Sequence, residues 1–424
     1  MKICVITSLY KPYAKGGAEY VAENIVNGLV EKGNSVIVIT TQPPQLKEKI
    51  HPIRLALRAG SNPPSQKEEL SVIRFYPCNL FWFGDINKKP LWLRLPWHLI
   101  DVFNLHTYFK IKKILKKEKP DVVMTHNLKG IGYTVPMAIR SAGIRHIHTL
   151  HDVQLVEPSG LIYQKKYRYN TPLTPLKGGI IKTYSWINKR LFASPNIVIS
   201  PSEWLMNFYI EKEFFKASQK VIMQNPVLKQ LHSKNAKAEG GIKESKNSLN
   251  LLYIGQIEDH KGILFLIDAL KQSKNVHLDI IGTGTKIDEI KKLTERNNNI
   301  KIHGYVKNSL VNTYFVQGDF LIVPSLCAEN SPTVIYESFL NSTPVIASNI
   351  GGIPELVKNG YNGYIFEAGN KQQLLRIIQK CITEKNEWSE LRQNALRSVE
   401  GLGIEEYIKK LILETKTPTM KAGH

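Results

Sequence analysis

Two glutamates, Glu329 and Glu337, stand eight residues apart in a stretch that could bind an anionic or sugar-like ligand. The apolar residues 321–323 are followed by a Pro-Ser pair, which predicts a buried strand that runs into a loop. Ser331-Pro332 then predicts the start of a helix, because serine is a good N-cap and proline suits the first helical position. A helix N-terminus offers unpaired N–H groups and partial positive charge, which suit a phosphate or a polar sugar. The two carboxylates are therefore candidate binding groups, and the alternative is a pair of ordinary surface glutamates.

Glycines, a histidine and a lysine supply further candidate groups near the ends of predicted strands. The adjacent Gly16 and Gly17 precede a predicted helix and would let backbone N–H groups approach a phosphate, although a plain turn is the alternative. His151 follows a predicted strand over residues 145–150, at the edge where doubly wound sheets bind ligands. Taken alone, such a residue is more often a structural histidine. Lys261 opens a predicted helix after another predicted strand.

Two α/β halves are expected to carry these groups. At 424 residues the chain exceeds one ordinary core, and the strand–helix–strand pattern of its first 40 residues restarts at residue 251. This alternation predicts two doubly wound parallel sheets that face each other across a cleft. The first loop has no G-x-G-x-x-G, so it is not a dinucleotide fingerprint. We predict domains over 1–228 and 251–404, a polar linker over 229–250, and a last helix at about 405–420 that packs back on the first domain.

The charge and the cysteines limit the class of protein. A net charge of +21 favours an anionic partner, which could be nucleic acid, a phosphorylated substrate or an anionic membrane surface. The cysteines, at Cys4, Cys78, Cys327 and Cys381, have no paired spacing, which argues against disulfides or a zinc site and fits a reducing cytoplasm. The first residues lead directly into a strand and not into a signal peptide. The most apolar candidate for a membrane span, residues 91–105, is interrupted by charged residues.

Two regions concentrate the positive charge. Over residues 75–119, Trp82, Trp92 and Trp97 alternate with lysines and an arginine, and residues 158–202 contain no acidic residue. A basic helix with aromatic and leucine residues can lie at a membrane surface. A solvated helix whose apolar side is ordinary core fits the same pattern equally well. The acid-free stretch is expected near the carboxyl edge of the first sheet, where it would attract an anionic partner.

A series of short motifs then resembles one known family. In chain order these motifs are GGAE at 16–19, HD at 151–152, SPS at 200–202, GQIEDHKG at 255–262, GTG at 282–284, E-x7-E at 329–337 and GGIPE at 351–355. Together they resemble the retaining nucleotide-sugar glycosyltransferases of family 4, which have the GT-B fold of two Rossmann-like domains. The resemblance runs over nearly the whole chain and is strongest over residues 251–366.

The resemblance implies a role for each candidate residue. Glu329 would lie against the donor sugar, Glu337 would bind the ribose, and Lys261 would neutralise the diphosphate. Gly17, beside Gly16, would contact the diphosphate from the other domain, and His151 would face the sugar. The remaining donor-site positions are the backbone of Asn330, Ser331, Pro332 and Thr333 for sugar hydroxyls and the β-phosphate, and a base site near Tyr305 and Val306.

One position departs from the family pattern. The family usually has an arginine directly after the glycine that opens GQIEDHKG, and this chain has Gln256 there. A neutral side chain removes one phosphate-binding group from the expected donor site. No metal or other cofactor is implied, because a lysine and a helix N-terminus supply positive charge for the departing diphosphate.

The sequence thus predicts a retaining transferase that moves a hexose-type sugar from a nucleoside-diphosphate sugar to a hydroxyl of a lipid-linked or polysaccharide acceptor in cell-surface glycan synthesis. The expected location is the cytoplasm, with the inner face of the plasma membrane as an optional anionic surface. The alternatives are a nucleotide-sugar epimerase or phosphorylase of the same fold, and a sugar-nucleotide sensor without catalysis. A nucleic-acid-binding protein is less favoured, because no RNP, KH, zinc or helix-turn-helix signature is present.

Overall fold

The computed structural model describes residues 1–14, 16–46, 49–53, 70–163, 175–227 and 248–416. The chain divides into two compact units. The first contains Met1–Gly160, Leu173–Pro226 and Ile404–His424, and the second contains Leu161–Pro172 and Val227–Gly403. The predicted α/β class, with a mainly parallel sheet in each half, is confirmed.

The described strands of the first unit are β1 (Lys2–Ile6), β2 (Ser35–Thr41), β3 (Lys49–Ile53), β4 (Leu70–Phe75), β5 (Val122–Thr125), β6 (Arg145–Thr149), β7 (Ile197–Ser200) and β8 (Gln219–Ile222). They form one sheet in the order β3-β4-β2-β1-β5-β6-β7-β8. Strand β3 runs antiparallel to β4, and the other neighbours are parallel. The helices up to residue 211 are α1 (Gly17–Glu31), α2 (Leu91–Val102), α3 (Leu105–Glu118), α4 (Val135–Ser141), α5 (Pro175–Phe192) and α6 (Glu203–Glu211), with a 3-10 turn at Phe83–Lys88.

The described strands of the second unit are β9 (Leu249–Ile254), β10 (Val276–Ile281), β11 (Ile300–Gly304), β12 (Phe320–Val323), β13 (Val345–Ser348) and β14 (Gly363–Phe366). Their order is β11-β10-β9-β12-β13-β14, and every neighbouring pair is parallel. The helices are α7 (Ile263–Leu270), α8 (Ile287–Thr294), α9 (Asn308–Gln317), α10 (Thr333–Leu340), α11 (Ile353–Leu356), α12 (Lys371–Thr383) and α13 (Trp388–Arg397), with 3-10 turns at Asp259–Lys261 and Lys385–Glu387. The last helix, α14 (Ile404–Lys416), belongs to the first unit.

Apolar residues cover both faces of the second sheet. Along β9, Leu251 and Tyr253 join one buried cluster, whereas Leu252 joins a separate cluster on the opposite face. Side chains alternate between the two faces of a strand, so a strand that is buried on both faces needs a continuous apolar run. This requirement explains why the central strands β9, β12 and β13 are short apolar runs in the sequence.

The predicted domain limits need two corrections. The linker predicted over 229–250 is wrong at its end, because β9 already begins at Leu249, which is buried and donates its N–H to Asn275 O at 2.9 Å. Residues 229–247 of that linker lie outside the described residues. The segment Leu161–Pro172, predicted within the first domain, belongs to the second unit. Within it, Tyr163 pairs with Cys327 and Ile162 O accepts the N–H of Ala328 at 2.7 Å.

Helix α14 packs on α1 at a position where α1 has no side chain. A Cβ at Gly28 would lie 2.8 Å from Cγ1 of both Ile404 and Ile408. Ile404 and Ile408 are themselves buried. Glycine is therefore required at this contact for packing and not for an unusual backbone angle. No described helix is both long enough and apolar enough to cross a membrane.

We expect Gly28→Ala to lower the free energy of unfolding by about 1–3 kcal/mol, because the added methyl group overpacks the contact with α14. The matched control is Gly179→Ala in α5, where a Cβ meets no atom within 4 Å. That control should raise stability by roughly 0.5–1 kcal/mol, since alanine loses less conformational freedom than glycine in a helix. Urea unfolding of both variants is the measurement. A Gly28→Ala protein as stable as wild type would contradict the packing described.

Candidate active site

A lysine and a glutamate form an ion pair at the carboxyl edge of the second sheet. Lys261 Nζ lies 2.7 Å from Oε1 and 2.9 Å from Oε2 of Glu329. Lys261 ends the 3-10 turn after β9, and Glu329 lies in the loop after β12. Strands β9 and β12 are parallel neighbours, so their carboxyl ends meet at the same edge of the sheet. The fold thus joins two charges that are 68 residues apart in the chain.

Both groups of this pair are charged at neutral pH. Burial alone would raise the pKa of Glu329, but the Lys261 ammonium and a hydrogen bond from Ser325 outweigh it and hold the pKa below its ordinary value. Burial alone would lower the pKa of Lys261, but the Glu329 carboxylate outweighs it and raises that pKa. Ser325 Oγ donates to Glu329 Oε1 at 2.6 Å. The side chains of Lys261 and Glu329 are only 28% and 13% exposed, so each charge depends on the other.

Two glycines allow the loops of this pair to approach. Gly262 has φ +76°, and a Cβ there would overlap the carbonyl oxygen of Pro324. Gly351 has φ +63°, and a Cβ there would overlap the carbonyl oxygen of Glu329. The next residue, Gly352, donates its N–H to the same carbonyl oxygen at 2.8 Å. The K-G and G-G pairs of the motifs are therefore required for backbone packing around Glu329.

Helix α10 starts directly after the loop that carries Glu329, and its N-cap residue makes no side-chain hydrogen bond. Its N-cap is Pro332 and not Ser331 as the sequence predicted. The hydroxyl of Ser331 lies 2.7 Å from the Tyr336 hydroxyl. Helix α10 begins at Thr333. The N–H groups of its first turn point toward the preceding loop, which contains Asn330.

The other predicted donor-site residues lie at separate points of the second unit. Glu337 is on α10, and although the residue as a whole is exposed, desolvation of its carboxyl group raises its pKa to about 7. Gln256 is exposed, and its carbonyl oxygen accepts a hydrogen bond from the Tyr253 hydroxyl at 2.7 Å. Tyr305 is 74% exposed and, with Val306, follows β11, which is two strands from β9.

In the first unit, Gly16 and Gly17 stand at the start of α1. Gly16 N–H donates to Oε2 of Glu19 at 2.9 Å, so an acidic side chain already occupies this helix start. Sequence reasoning missed Glu19, although its position three residues after the N-cap is typical of a capping glutamate. Gly17 is the first residue of the helix.

His151 lies after β6 and is paired with a second histidine. Its Nε2 atom is 3.0 Å from Nδ1 of His126, which follows the neighbouring strand β5. Burial lowers the pKa of His151 to about 4, so the imidazole is neutral at pH 7. The next residue, Asp152, has its pKa raised to about 6 by burial. His126 was missed in the sequence, although it directly follows a predicted strand and so reaches the same edge.

Comparison with known proteins identifies the family. The sequence profile described as Glycosyltransferase Family 4 matches residues 15–227, and that of Glycosyl transferases group 1 matches residues 234–398. The chain belongs to the family 4 glycosyltransferases, and its two parallel-sheet units are those of the GT-B fold. It is accordingly a glycosyltransferase, as the motif series predicted.

Three similar proteins illustrate the likeness. An uncharacterised 42.6 kDa protein in the cps region of Klebsiella pneumoniae is 25% identical over 87% of this chain and 90% of its own length. The UDP-Gal:alpha-D-GlcNAc-diphosphoundecaprenol alpha-1,3-galactosyltransferase of Escherichia coli is 24% identical over 66% of this chain and 71% of its own. The structure of Anabaena Alr3699/HepE in complex with UDP-glucose has a TM-score of 0.66 at 18% identity, covering 98% of this chain and 100% of that chain.

We expect Lys261→Met to lower the free energy of unfolding at pH 7 by about 3 kcal/mol, because the Glu329 carboxylate keeps its burial and loses its counter-charge. The double variant Lys261→Met/Glu329→Gln should recover most of this loss. Lys216→Met is the control, because it removes a lysine from a solvent-exposed ion pair with Glu213 and should leave stability nearly unchanged. Urea unfolding measures all three.

The loss in Lys261→Met should shrink as the pH falls. In wild type the pKa of Glu329 is depressed, so its contribution is complete above the unfolded-state pKa of about 4.3 and is lost as the pH falls through the folded-state value. In the variant, burial without a counter-charge raises this pKa, so the carboxylate is protonated at a higher pH and its penalty disappears. An equal loss at pH 7 and pH 5 would contradict the charged pair.

Proposed function

We propose that the chain is a retaining transferase that moves a hexose-type sugar from a nucleoside-diphosphate sugar to a hydroxyl of a lipid-linked or polysaccharide acceptor in cell-surface glycan synthesis. The observation that carries the proposal is the ion pair of Lys261 and Glu329, whose loop leads directly into the start of α10. The relatives in the cps region and in diphosphoundecaprenol-linked galactosyl transfer support the biological setting. The retaining stereochemistry rests on the motif resemblance.

The proposed chemistry needs fixed positive groups at the departing diphosphate. When the bond from the anomeric carbon to the phosphate oxygen breaks, negative charge grows on the leaving group. Lys261 supplies a full charge, and the first N–H groups of α10 after Pro332 supply the positive end of a helix dipole. These groups make the proposed reaction independent of a metal ion.

The two glutamates have different tasks in this proposal. Glu329 is fixed by Lys261 and Ser325, so its carboxylate can stabilise positive charge that develops on the sugar ring. Glu337, when ionised, can accept hydrogen bonds from the ribose hydroxyls. The backbone of residues 330–333 would bind sugar hydroxyls and the β-phosphate, and the base would lie near Tyr305 and Val306. His151 is proposed to contact the sugar and Gly17 the diphosphate.

The α2–α3 face supports an acceptor at a membrane. We define this face by the exposed apolar side chains of these two helices and of the residue that follows α2, which are Trp92, Leu95, Leu99, Phe103, Leu105 and Phe109. Those on α2 recur at helical spacing, so they form one stripe that faces solvent. Trp82 and Trp97 do not belong to this stripe, because both are buried. For these two residues the alternative of ordinary core packing is correct.

Charge and composition together make an anionic lipid surface the proposed occupant of this face. Basic side chains flank it on the same helices and on the preceding turn, at Lys88, Lys89, Arg94, Lys110, Lys112, Lys113, Lys116 and Lys117. Leucine and tryptophan that enter the acyl boundary gain from burial, while lysines near an anionic leaflet gain about 1 kcal/mol each. We therefore propose peripheral binding at the cytoplasmic face of the plasma membrane. The stretch over 164–174 of the acid-free region lies outside the described residues.

Thermal-shift screening of UDP, GDP and ADP should identify a nucleoside diphosphate that stabilises the wild-type protein. A ligand at about 100 times its Kd raises the free energy of unfolding by roughly 2.7 kcal/mol. UDP is the first choice, since HepE was solved with UDP-glucose and the galactosyltransferase uses UDP-Gal. Lys261→Ala should lose this stabilisation and abolish transfer. Gln256→Arg should retain or improve both, because it adds a phosphate-binding cation.

The pattern of product release separates the proposal from its rivals. Transfer requires that the diphosphate is released only when an acceptor is present, whereas an epimerase changes the sugar without acceptor. A sensor would bind the donor and release nothing. Stabilisation of Lys261→Ala equal to that of wild type would remove Lys261 from the donor site, and lost activity in Gln256→Arg would assign Gln256 a role of its own. A salt-sensitive shift on generic DNA would favour the nucleic-acid alternative.

Vesicle co-sedimentation should depend on anionic lipid and on the α2–α3 face. We expect stronger binding to vesicles with phosphatidylglycerol than to pure phosphatidylcholine. Trp92→Ser/Leu99→Ser should lower binding at least severalfold, because both side chains lose their apolar contact with the acyl region. Leu413→Ser on α14, which is 66% exposed in wild type, is the control and should bind as wild type does. Binding that ignores the lipid charge, or an unaffected double variant, would contradict the membrane proposal.

A further inference from the structure

A pair of histidines lies at the carboxyl ends of two neighbouring strands in the first unit. His126 directly follows β5, and His151 follows β6 by two residues. The His126 Nδ1 and His151 Nε2 atoms are 3.0 Å apart, within hydrogen-bond distance. The two rings are tilted by 32° with centroids 5.2 Å apart, so the contact is made nitrogen to nitrogen. The proposed function assigns a role to His151 and none to His126.

Both rings are neutral at physiological pH. His126 is 2% exposed, and its burial, together with the neighbouring His151, lowers its pKa well below the ordinary value. Burial likewise lowers the pKa of His151. A neutral imidazole carries one proton, so one nitrogen of each ring donates and the other accepts. In the contact between them, therefore, one histidine is the donor and the other is the acceptor.

The environment of His126 decides which one donates. Its other ring nitrogen, Nε2, is buried and has no hydrogen-bond partner among the described residues. A proton on Nε2 would bury an unpaired N–H donor, which is rare in folded proteins. A proton on Nδ1 is used in the hydrogen bond to His151. His126 therefore donates from Nδ1, and His151 accepts at Nε2.

We propose that His126 is a positioning residue that fixes the tautomer of His151. Because Nε2 of His151 accepts, its one proton must be on Nδ1. His151 then presents an N–H group, and its only basic lone pair is engaged by His126. His151 is thus a hydrogen-bond donor toward the sugar and not a base that takes a proton during transfer. This inference rests on the proposed function for the sugar contact alone; the tautomer follows from the histidine pair itself.

Nitrogen-15 NMR of the full-length, histidine-labelled protein at pH 7 tests the tautomer without any substrate. The His151 resonances, assigned by difference from His151→Gln, should show a protonated Nδ1 and an unprotonated Nε2. In His126→Leu the preference should be lost. His126→Asn should retain it, because the asparagine amide places an N–H close to the position of Nδ1. His126→Gln should not, since its amide reaches the position of Nε2.

The control is His146→Leu, which removes another buried histidine. His146 contacts Thr125 at 2.7 Å, so its loss should leave the His151 signals unchanged. A wild-type His151 protonated on Nε2, or a tautomer that His126→Leu and His126→Gln leave unchanged, would overturn the inference. If His126→Leu does not fold, the comparison of His126→Asn with His126→Gln still decides between the two outcomes.

Acceptor-dependent release of nucleoside diphosphate supplies a second readout. His126→Gln should lower kcat about tenfold, the equivalent of one hydrogen bond, with a smaller change in the donor KM. His126→Asn should recover most of this loss. Wild-type protein with the expected tautomer but without transfer would overturn the proposed function and leave the histidine inference standing. Normal transfer in both variants would overturn the positioning role.

Discussion

The ion pair of Lys261 and Glu329 is the interaction on which the carboxyl edge of the second sheet depends. Neither charge is stable in its partly buried position without the other, so the loops after β9 and β12 must stay in register. Gly262 and Gly351 serve the same packing through the backbone, because a Cβ atom at either position would overlap a carbonyl oxygen of the loop after β12. The ion pair and the two glycines thus together fix the position of the loop that carries Glu329.

The carboxyl edges of the two sheets differ in electrostatic character. The edge of the second sheet has the Lys261 ammonium, whose charge the Glu329 carboxylate balances. In the proposed reaction the diphosphate competes with this carboxylate for the ammonium, and no further group has to ionise. The edge of the first sheet has imidazoles that burial keeps neutral. In the proposed reaction, charge is stabilised by the second unit, and the first unit contributes oriented dipoles. Such preorganised groups need little rearrangement when charge develops.

Short-range patterns predicted much of the fold, and long-range contacts explain what they missed. Strand β12 and the start of helix α10 follow from local residue types, and both were predicted within a few residues of their observed positions. The direct contact of Lys261 with Glu329 was not predicted, since it depends on β9 and β12 being neighbours. Helix α4 begins only at Val135, although the apolar residues start at Ile131, because Tyr133 donates its N–H to Asp101 O in α2.

The segment 161–163 determines how the protein can be divided. This short piece of chain comes from the N-terminal half in sequence, yet it is hydrogen-bonded to Cys327 and Ala328, directly before Glu329. A contiguous fragment over 227–403 would therefore lack part of its own structure at the position nearest the ion pair. Chimeras that exchange the second unit between relatives must transplant this segment together with the C-terminal half, although the first-unit residues Leu173–Pro226 separate the two in the chain.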